Sequence, residues 1–328
     1  MPTIKRVLVT GASGKLGGPV CEALVAAGYR VAGLRHRHPI GIEGVEEIQA
    51  DLADAAAMEK LVLHHDAVIH LATCKEDRHG VIDFSGRGTF NLLDAAMRTR
   101  ALARFILSSR DAVSGVYFNP QPVPIREDMP LAACPGYYPL SKAIEETLCR
   151  QFFVQAGVPT VVLRISWVHA EDDFLNHLTV AGESFGVPVW QELMSAEQRA
   201  AFSGGRNAAV ALRHPDGKPV RRHIVAVEDC VQAFLLALQR ERIDGETFNI
   251  AMGEPFDYAE AAAYAAKRLG IEVLDLVDPA GHDFSVDTAK ARYVLGYRPK
   301  YDIHGLIDHA VEFRQSGRPR RLHAGYKG

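Results

Sequence analysis

The chain has no apolar run of the roughly 18 residues that a membrane span needs. It has no charge excess either: 37 Lys and Arg against 40 Asp and Glu leave a net charge of -3. The first absence argues against a membrane protein. The second removes the electrostatic footprint of a nucleic-acid binder. Cysteine is scarce. Cys21, Cys74, Cys134, Cys149 and Cys230 are odd in number and contain no CxxC pair, so they read as reduced thiols of a cytoplasmic protein, not as a disulfide framework or zinc site. The 14 histidines offer no HExxH spacing and no Cys/His cluster, and no metal is expected. A GxSxG elbow and a phosphate loop ending in GK[ST] are also missing, which excludes two common catalytic signatures. The opening MPTIKRVLVTGASG reads as strand and turn, not as a signal peptide.

What is present is an ordinary composition, 48% hydrophobic and 23% charged over 328 residues, enough for one large α/β unit or two domains sharing an interface. The first half alternates short β-rich runs (4–10, 30–34, 47–49, 67–71, 104–107, 160–165) with helical patterns (16–27, 55–64, 84–98, 138–156). Near-continuous apolar strands between helices imply a parallel sheet covered on both faces, a doubly wound, Rossmann-type α/β fold. From about Glu171 the pattern loosens. Strands are expected at 208–213 and 223–227, around a turn at Asp216–Gly217, and helices at 229–240, 258–269 and 303–315. Residues 1–170 therefore read as a dinucleotide-binding domain, with 221–250 returning to it. Residues 171–220 and 251–317 read as a smaller substrate-binding region, and 318–328 as a basic tail that frays.

The first strand runs into TGASGKLGG, with Gly11, Gly14 and Gly17 spaced GxxGxxG before the first helix. Glycines let the backbone turn sharply and approach a pyrophosphate, and the helix N-terminus offers free N–H groups and a favourable dipole. Where the next strand ends, an acidic residue would bind the hydroxyls of an NAD ribose, whereas an arginine accommodates the 2′-phosphate of NADP. Here the strand ends GLRHRH, with Arg35 and Arg37 and no carboxylate. Lys15 in the turn adds positive charge, so the cofactor is NAD(P), leaning to NADP. Arg35 could instead stack on the adenine. Asp51 can accept from the adenine amino group or cap a helix, as can Asp54.

The stretch GYYPLSK places Lys142 one helical turn after Tyr138. A free phenol has a pKa near 10. A nearby ammonium and a helix N-terminus both favour the phenolate, and Pro139 suits the first helical turn. Tyr138 can thus serve as general acid or base at a hydroxyl or carbonyl. Tyr137 has no lysine partner at that spacing.

TGASGKLG, ADL at Asp51, HLAT, GTFNLLDAA, YPLSK, LRISWV, RRHIVAVEDC, FNIAMGEP and DTAKARYVLGYRPKY occur in this order along nearly the whole chain. Together they resemble the extended short-chain dehydrogenase/reductase family, the NAD(P)-dependent epimerase/dehydratase group. The resemblance implies an enzyme that moves hydride between a sugar or sugar-nucleotide carbinol and nicotinamide. It implies cofactor contacts at Gly11, Ser13, Gly14, Lys15, Leu16, Gly17, Arg35, Asp51, Leu52, Leu71 and Ala72, with Lys142 on the nicotinamide ribose. It also implies a homodimer through the helices at 84–98 and 138–156. The family's Ser or Thr partner of the tyrosine lies three residues before a Val. In FILSSRDAVSG that position holds Arg110, and Ser114 replaces the usual tyrosine after the Val. Either a one-residue shift presents Ser109, which is favoured, or Arg110 takes the site and binds a substrate carboxylate or phosphate. A dehydratase would want an Asp–Glu pair next, but Ala112 follows Asp111, leaving an epimerase or a dehydrogenase/reductase. Arg222 matches the family's diphosphate-binding arginine, or is a surface residue. Asn176 is a further substrate candidate, Arg206 and Asn207 weaker ones, and His169 falls where the family often has Tyr. The alternative is a non-catalytic NAD(P)-binding sensor or scaffold on the same fold.

Overall fold

A computed structural model describes residues 3–35, 38–116, 123–182 and 188–321. Arg37, one of the two cofactor arginines expected from the sequence, lies outside them. Seven strands form one parallel sheet: β1 (Arg6–Thr10), β2 (Arg30–Arg35), β3 (Val45–Gln49), β4 (Ala67–His70), β5 (Arg104–Arg110), β6 (Thr160–Ile165) and a later strand, Thr247–Ile250, numbered β11 below. The spatial order is β11-β6-β5-β4-β1-β2-β3. Chain order reverses between β1 and β4, which leaves a crevice at the strand C-termini there.

Alternation along the strands builds a core on each face. Val7, Val9, Ile69, Ile106 and Leu163 pack with Cys21 and Leu24 of α1 (Gly17–Ala26) on one face. Leu8, Val68, Phe105 and Leu107 pack on the other with Met58 of α2 (Ala55–Leu63), Leu92 of α3 (Arg87–Thr99) and Phe152 of α4 (Tyr137–Ala156). Helices thus cover both faces, as the near-continuous apolar strands require. The five cysteines are all buried free thiols. Burial pushes the Cys21 thiol up to about 12.

After β6 come β7 (Trp167–His169), α5 (Asp173–Leu178), α6 (Trp190–Leu193), α7 (Ala196–Phe202) and β8 (Ala208–Arg213). Then follow β9 (Arg221–Arg222), β10 (Ile224–Ala226) and α8 (Val227–Gln239), which packs Cys230 and Phe234 into the α1 side of the sheet. β11 then adds the edge beside β6, pairing Thr247–Ile250 with Val162–Ile165. The last elements are β12 (Phe256–Asp257), α9 (Tyr258–Leu269), β13 (Glu272–Val277) and α10 (Ile303–Gln315). A separate core of Phe174, Trp190, Leu212, Ile224, Tyr258 and Leu306 holds this smaller unit.

Several strands differ from the sequence expectation. β7, β9, β11, β12 and β13 are two to six residues long. These runs lie outside the regular strand–helix alternation of the first half, and tertiary pairing makes them strands. Residues 291–297 also pack Ala291, Leu295 and Tyr297 against the first core, although they fall within the stretch expected to form the substrate region. The expected frayed tail is anchored over its described residues 318–321: Arg320 pairs with Asp172 at 2.9 Å, and the Arg321 backbone donates to Glu171 at 3.0 Å. No helix among the described residues is long and apolar enough to cross a membrane. No cluster of metal-ligating side chains occurs among them.

Candidate active site

The glycine turn closes because its Cβ positions are filled by backbone. A side chain at Gly11, whose φ is +68°, would lie 2.7 Å from the Ala72 amide nitrogen. One at Gly17 would strike the Gly11 carbonyl and sit 2.8 Å from the Ala12 Cα. Thr10 ties β1 to the segment after β4: its hydroxyl accepts from Leu71 and Ala72, both at 3.2 Å, and meets His70 Nδ1 at 2.7 Å. His70 Nε2 meets Thr89 at 3.0 Å. Burial, then the Lys142 charge, push the His70 imidazole down to about 3, so it is neutral. No side chain caps α1. A glycine cradle under an uncapped helix N-terminus fits a dinucleotide diphosphate.

Around this cradle the other expected contacts have local roles. The Asp51 carboxylate accepts from Ala53 N at 2.9 Å in a turn, and the cap of α2 is Asp54, accepting from Ala57 N at 3.0 Å. Leu52 is buried, and its carbonyl accepts from Asn91 at 2.8 Å. Ser13, Leu16, Leu71 and Ala72 are partly exposed along the cradle. Lys15 turns inward instead of outward, donating to the Val168 carbonyl at 3.0 Å and pairing with Asp173. Burial, opposed by Asp173, lowers its ammonium to about 8. Arg35 stands at the end of β2 as expected, but a carboxylate is beside it after all: Glu47 of β3 lies 3.3 Å away, and Gln49 accepts from Arg35 at 3.1 Å. The sequence distance hid that partner, which parallel β2–β3 pairing brings across.

Helix α4 begins at Gly136, whose φ of +132° suits glycine. The Glu76 carboxylate caps its first turn, accepting from Tyr137 N at 2.8 Å and Tyr138 N at 3.3 Å. Those N–H groups are therefore satisfied by an anion, which offsets the helix dipole expected to act on the Tyr138 phenol. Tyr137 is exposed and Tyr138 half-buried. The Lys142 ammonium is 5.9 Å from the Tyr138 ring centroid. It is 2% exposed, donates to the Ser108 carbonyl at 2.9 Å and pairs with Glu145 at 2.8 Å. Burial alone would lower its pKa, but Glu145 and Tyr138 outweigh burial and hold it above the ordinary lysine value. Burial raises the Glu145 carboxyl, against the pull of Lys142. Sequence reasoning missed Glu145, although its position three residues after Lys142 on one helix was a usable signal.

The Ser109 hydroxyl, expected to partner Tyr138, is engaged by another group. Ser109 is fully buried on the face of β5 shared with Phe105 and Leu107, and its hydroxyl donates to Glu146 at 2.5 Å. Arg164 of β6 grips the same carboxylate, with contacts from 2.8 to 3.1 Å. Strand alternation puts Arg110 on the opposite face, close enough to bias the protonation of Lys142, Lys15 and His169. His169 is buried, and burial followed by the Lys15 charge holds its pKa well below the ordinary value.

The remaining substrate candidates split. Arg222 is 8% exposed and packs over the Tyr258 ring at 5.9 Å, so it is not the surface residue that its alternative reading supposed. Tyr258 OH meets His177 Nε2 at 2.7 Å. Asn176 is taken by α10, accepting from Arg314 at 2.7 Å. Arg206 pairs with Glu272 at 2.7 Å, and Asn207 accepts from Ala181 N at 2.9 Å. Both lie in the smaller unit, where a cavity of about 350 Å³ is lined by Met194, Phe202 and Arg206 and not by Tyr138 or Lys142.

Residues 7–251 match the model of the NAD dependent epimerase/dehydratase family. The chain is 29% identical to a UDP-glucose 4-epimerase of Azospirillum brasilense over 348 aligned positions, covering 95% of this chain and 92% of that one. It is 34% identical to a uronate dehydrogenase of Agrobacterium fabrum over 165 positions, 49% of this chain and 61% of the other. Among solved structures, a short-chain dehydrogenase/reductase superfamily protein of Agrobacterium tumefaciens with bound NAD superposes with a TM-score of 0.80 at 25% identity, covering 95% of this chain and 97% of that chain.

The contrast between Ser109 and its neighbours is measurable. Arg164→Met leaves a buried Glu146 without its cation and is expected to lower unfolding free energy by about 3–5 kcal/mol. Ser109→Ala, which removes one hydrogen bond to that carboxylate, should cost about 1.5–3 kcal/mol and leave kcat within about threefold. Denaturant unfolding and steady-state kinetics check both. A collapse of kcat in Ser109→Ala would return that hydroxyl to the chemistry.

Proposed function

The chain belongs to the NAD dependent epimerase/dehydratase family, and from that membership we propose that it is an epimerase or dehydrogenase/reductase acting on a sugar or sugar nucleotide, with Tyr138 as acid/base. The observation that carries the proposal is the buried, charged Lys142 one turn from Tyr138 at the mouth of β5. The bound nicotinamide supplies hydride acceptance and donation. Tyr138, as phenolate, takes the proton of the substrate hydroxyl while hydride leaves the same carbon and the C–O bond becomes a carbonyl. Lys142 favours that phenolate by its charge. It is itself fixed by Ser108 and Glu145, so its ammonium does not wander. The reverse transfer, from the phenol to the carbonyl oxygen, completes an epimerisation when hydride returns to the other face. With Ser109 committed to Glu146, Arg110 is assigned the place of the hydrogen-bond donor to the reacting oxygen, where its guanidinium also suits a substrate carboxylate or phosphate. Ala112 after Asp111 supplies no second acid for dehydration.

The relatives' names point to substrates of two kinds, a UDP-hexose and a free uronate. Arg222 would face the diphosphate of the first kind. At the adenosine end, Arg35 is assigned to a 2′-phosphate, which favours NADP, while Glu47 beside it suits the hydroxyls of an NAD ribose. The exposed Ile82, Phe90, Leu140 and Val154, on or next to α3 and α4, support a homodimer across these helices.

Three measurements test these assignments. Tyr138→Phe should lower kcat by about 10²–10⁴-fold with UDP-hexoses, UDP-uronates and free uronates as the panel; undiminished turnover would sink the acid/base role. In Arg35→Asp, calorimetric titration should show NADP affinity falling more than NAD affinity, and an unchanged ratio discards the 2′-phosphate reading. Light scattering should return twice the 35.9 kDa chain mass, and a monomer at micromolar concentration refutes the dimer.

A further inference from the structure

Glu171, Asp172 and Asp173 sit side by side where the chain passes from β7 into α5, with Glu171 in the left-handed region at φ 52°. The side chains of Asp172 and Asp173 are 10% and 6% exposed. Two carboxylates so deeply placed cannot stay unpaired without a large desolvation cost. Asp173 accepts from Ala170 N at 2.9 Å and pairs with Lys15 of the glycine turn and with Arg320. Asp172 meets Arg314 at 2.8 Å and Arg320 at 2.9 Å. Glu171 accepts from the Arg321 backbone at 3.0 Å. The Arg321 side chain runs on to pair with Glu22 of α1 and lies against Gly18 in that helix's first turn, where any side chain would collide with it. Four carboxylates therefore face Lys15, Arg314, Arg320 and Arg321, and the last two cations come from the end of the chain.

We infer that Arg320 and Arg321 are positioning residues of the dinucleotide site, because they neutralise an acidic cluster that would otherwise oppose the cofactor's diphosphate. The cluster lies one lysine side chain from the cradle, since Asp173 holds Lys15 directly. Without Arg320, Lys15 is what remains opposite Asp173 among the described residues, and Arg314 what remains opposite Asp172. The uncompensated negative charge then acts at short range, through a poorly screened interior, on an anion-binding turn. Without Arg321, Glu22 bears on the first turns of α1, whose positive end is the part that favours phosphate. Gly18 fits the same account: in α1 it leaves the space that the Arg321 guanidinium fills.

The test is calorimetric titration of the full chain with NAD⁺. R320Q/R321Q should bind about tenfold more weakly, a typical size for coupling between two sites. Adding D172N/D173N to that background removes the opposing charge and should restore affinity to within about threefold of wild type. Wild-type affinity in R320Q/R321Q overturns the inference, and so does weakening that D172N/D173N fails to relieve. Should R320Q/R321Q not fold, Arg321→Gln alone, compared with Arg321→Gln/Glu22→Gln, is read in the same way. The measured quantity is cofactor affinity, so either result leaves the Tyr138 assignment untouched.

Discussion

A buried ammonium sets the geometry of this protein. Lys142 has almost no water, so its charge must be met by protein, and the Ser108 carbonyl and the Glu145 carboxylate meet it. The Ser108 contact fastens α4 to the end of β5, while Glu145, on the same helix, holds the ammonium in place. One turn further on, Glu146 makes a second fastening, to Arg164 of β6 and Ser109 of β5. One buried ion pair to β6 and the hydrogen bonds to Ser108 and Ser109 of β5 leave the helix little freedom to slide or rotate against the sheet. Tyr138, at the helix start, is thereby held over the strand ends where a dinucleotide-binding crevice opens.

The same fastening occupies the Ser109 hydroxyl. A serine whose hydroxyl is needed to complete a buried carboxylate's shell is unavailable to a substrate. Ser109 is such a serine, and the alternation of a strand gives the next residue, Arg110, to the opposite face. Arg110 there bears on the charges of Lys142, Lys15 and His169. Lys15 in turn links the glycine turn to Asp173. An acidic cluster lies behind the glycine turn, and cations from α10 and the chain's end balance it.

Much of this was legible in the residues. Near-continuous apolar strands between helices are the signature of a sheet covered on both faces, and six of its seven strands lie where those runs were read. Gly11 and Gly17 could be read because a tight turn against backbone admits no other residue. Tyr138 and Lys142 could be read because the α-helix carries its own ruler. The short strands could not: a four-residue run such as TFNI becomes β11 only because β6 offers it an edge. Glu47 beside Arg35, Glu76 on the start of α4 and Arg320 on Asp172 were also invisible, since each joins residues far apart in the chain.

By itself, then, the sequence determined the local geometry: turn, helix spacing, strand alternation and the order of the segments. Those depend on neighbours within a few positions, and the backbone fixes what such neighbours can do. Only the tertiary structure decided which charges meet. That decision gave Ser109 to Glu146, put Arg110 on the opposite face of β5, turned Lys15 inward and anchored Arg320 and Arg321. The reason is that a charge removed from water must find its partner wherever the fold brings one, and no local pattern records that distance.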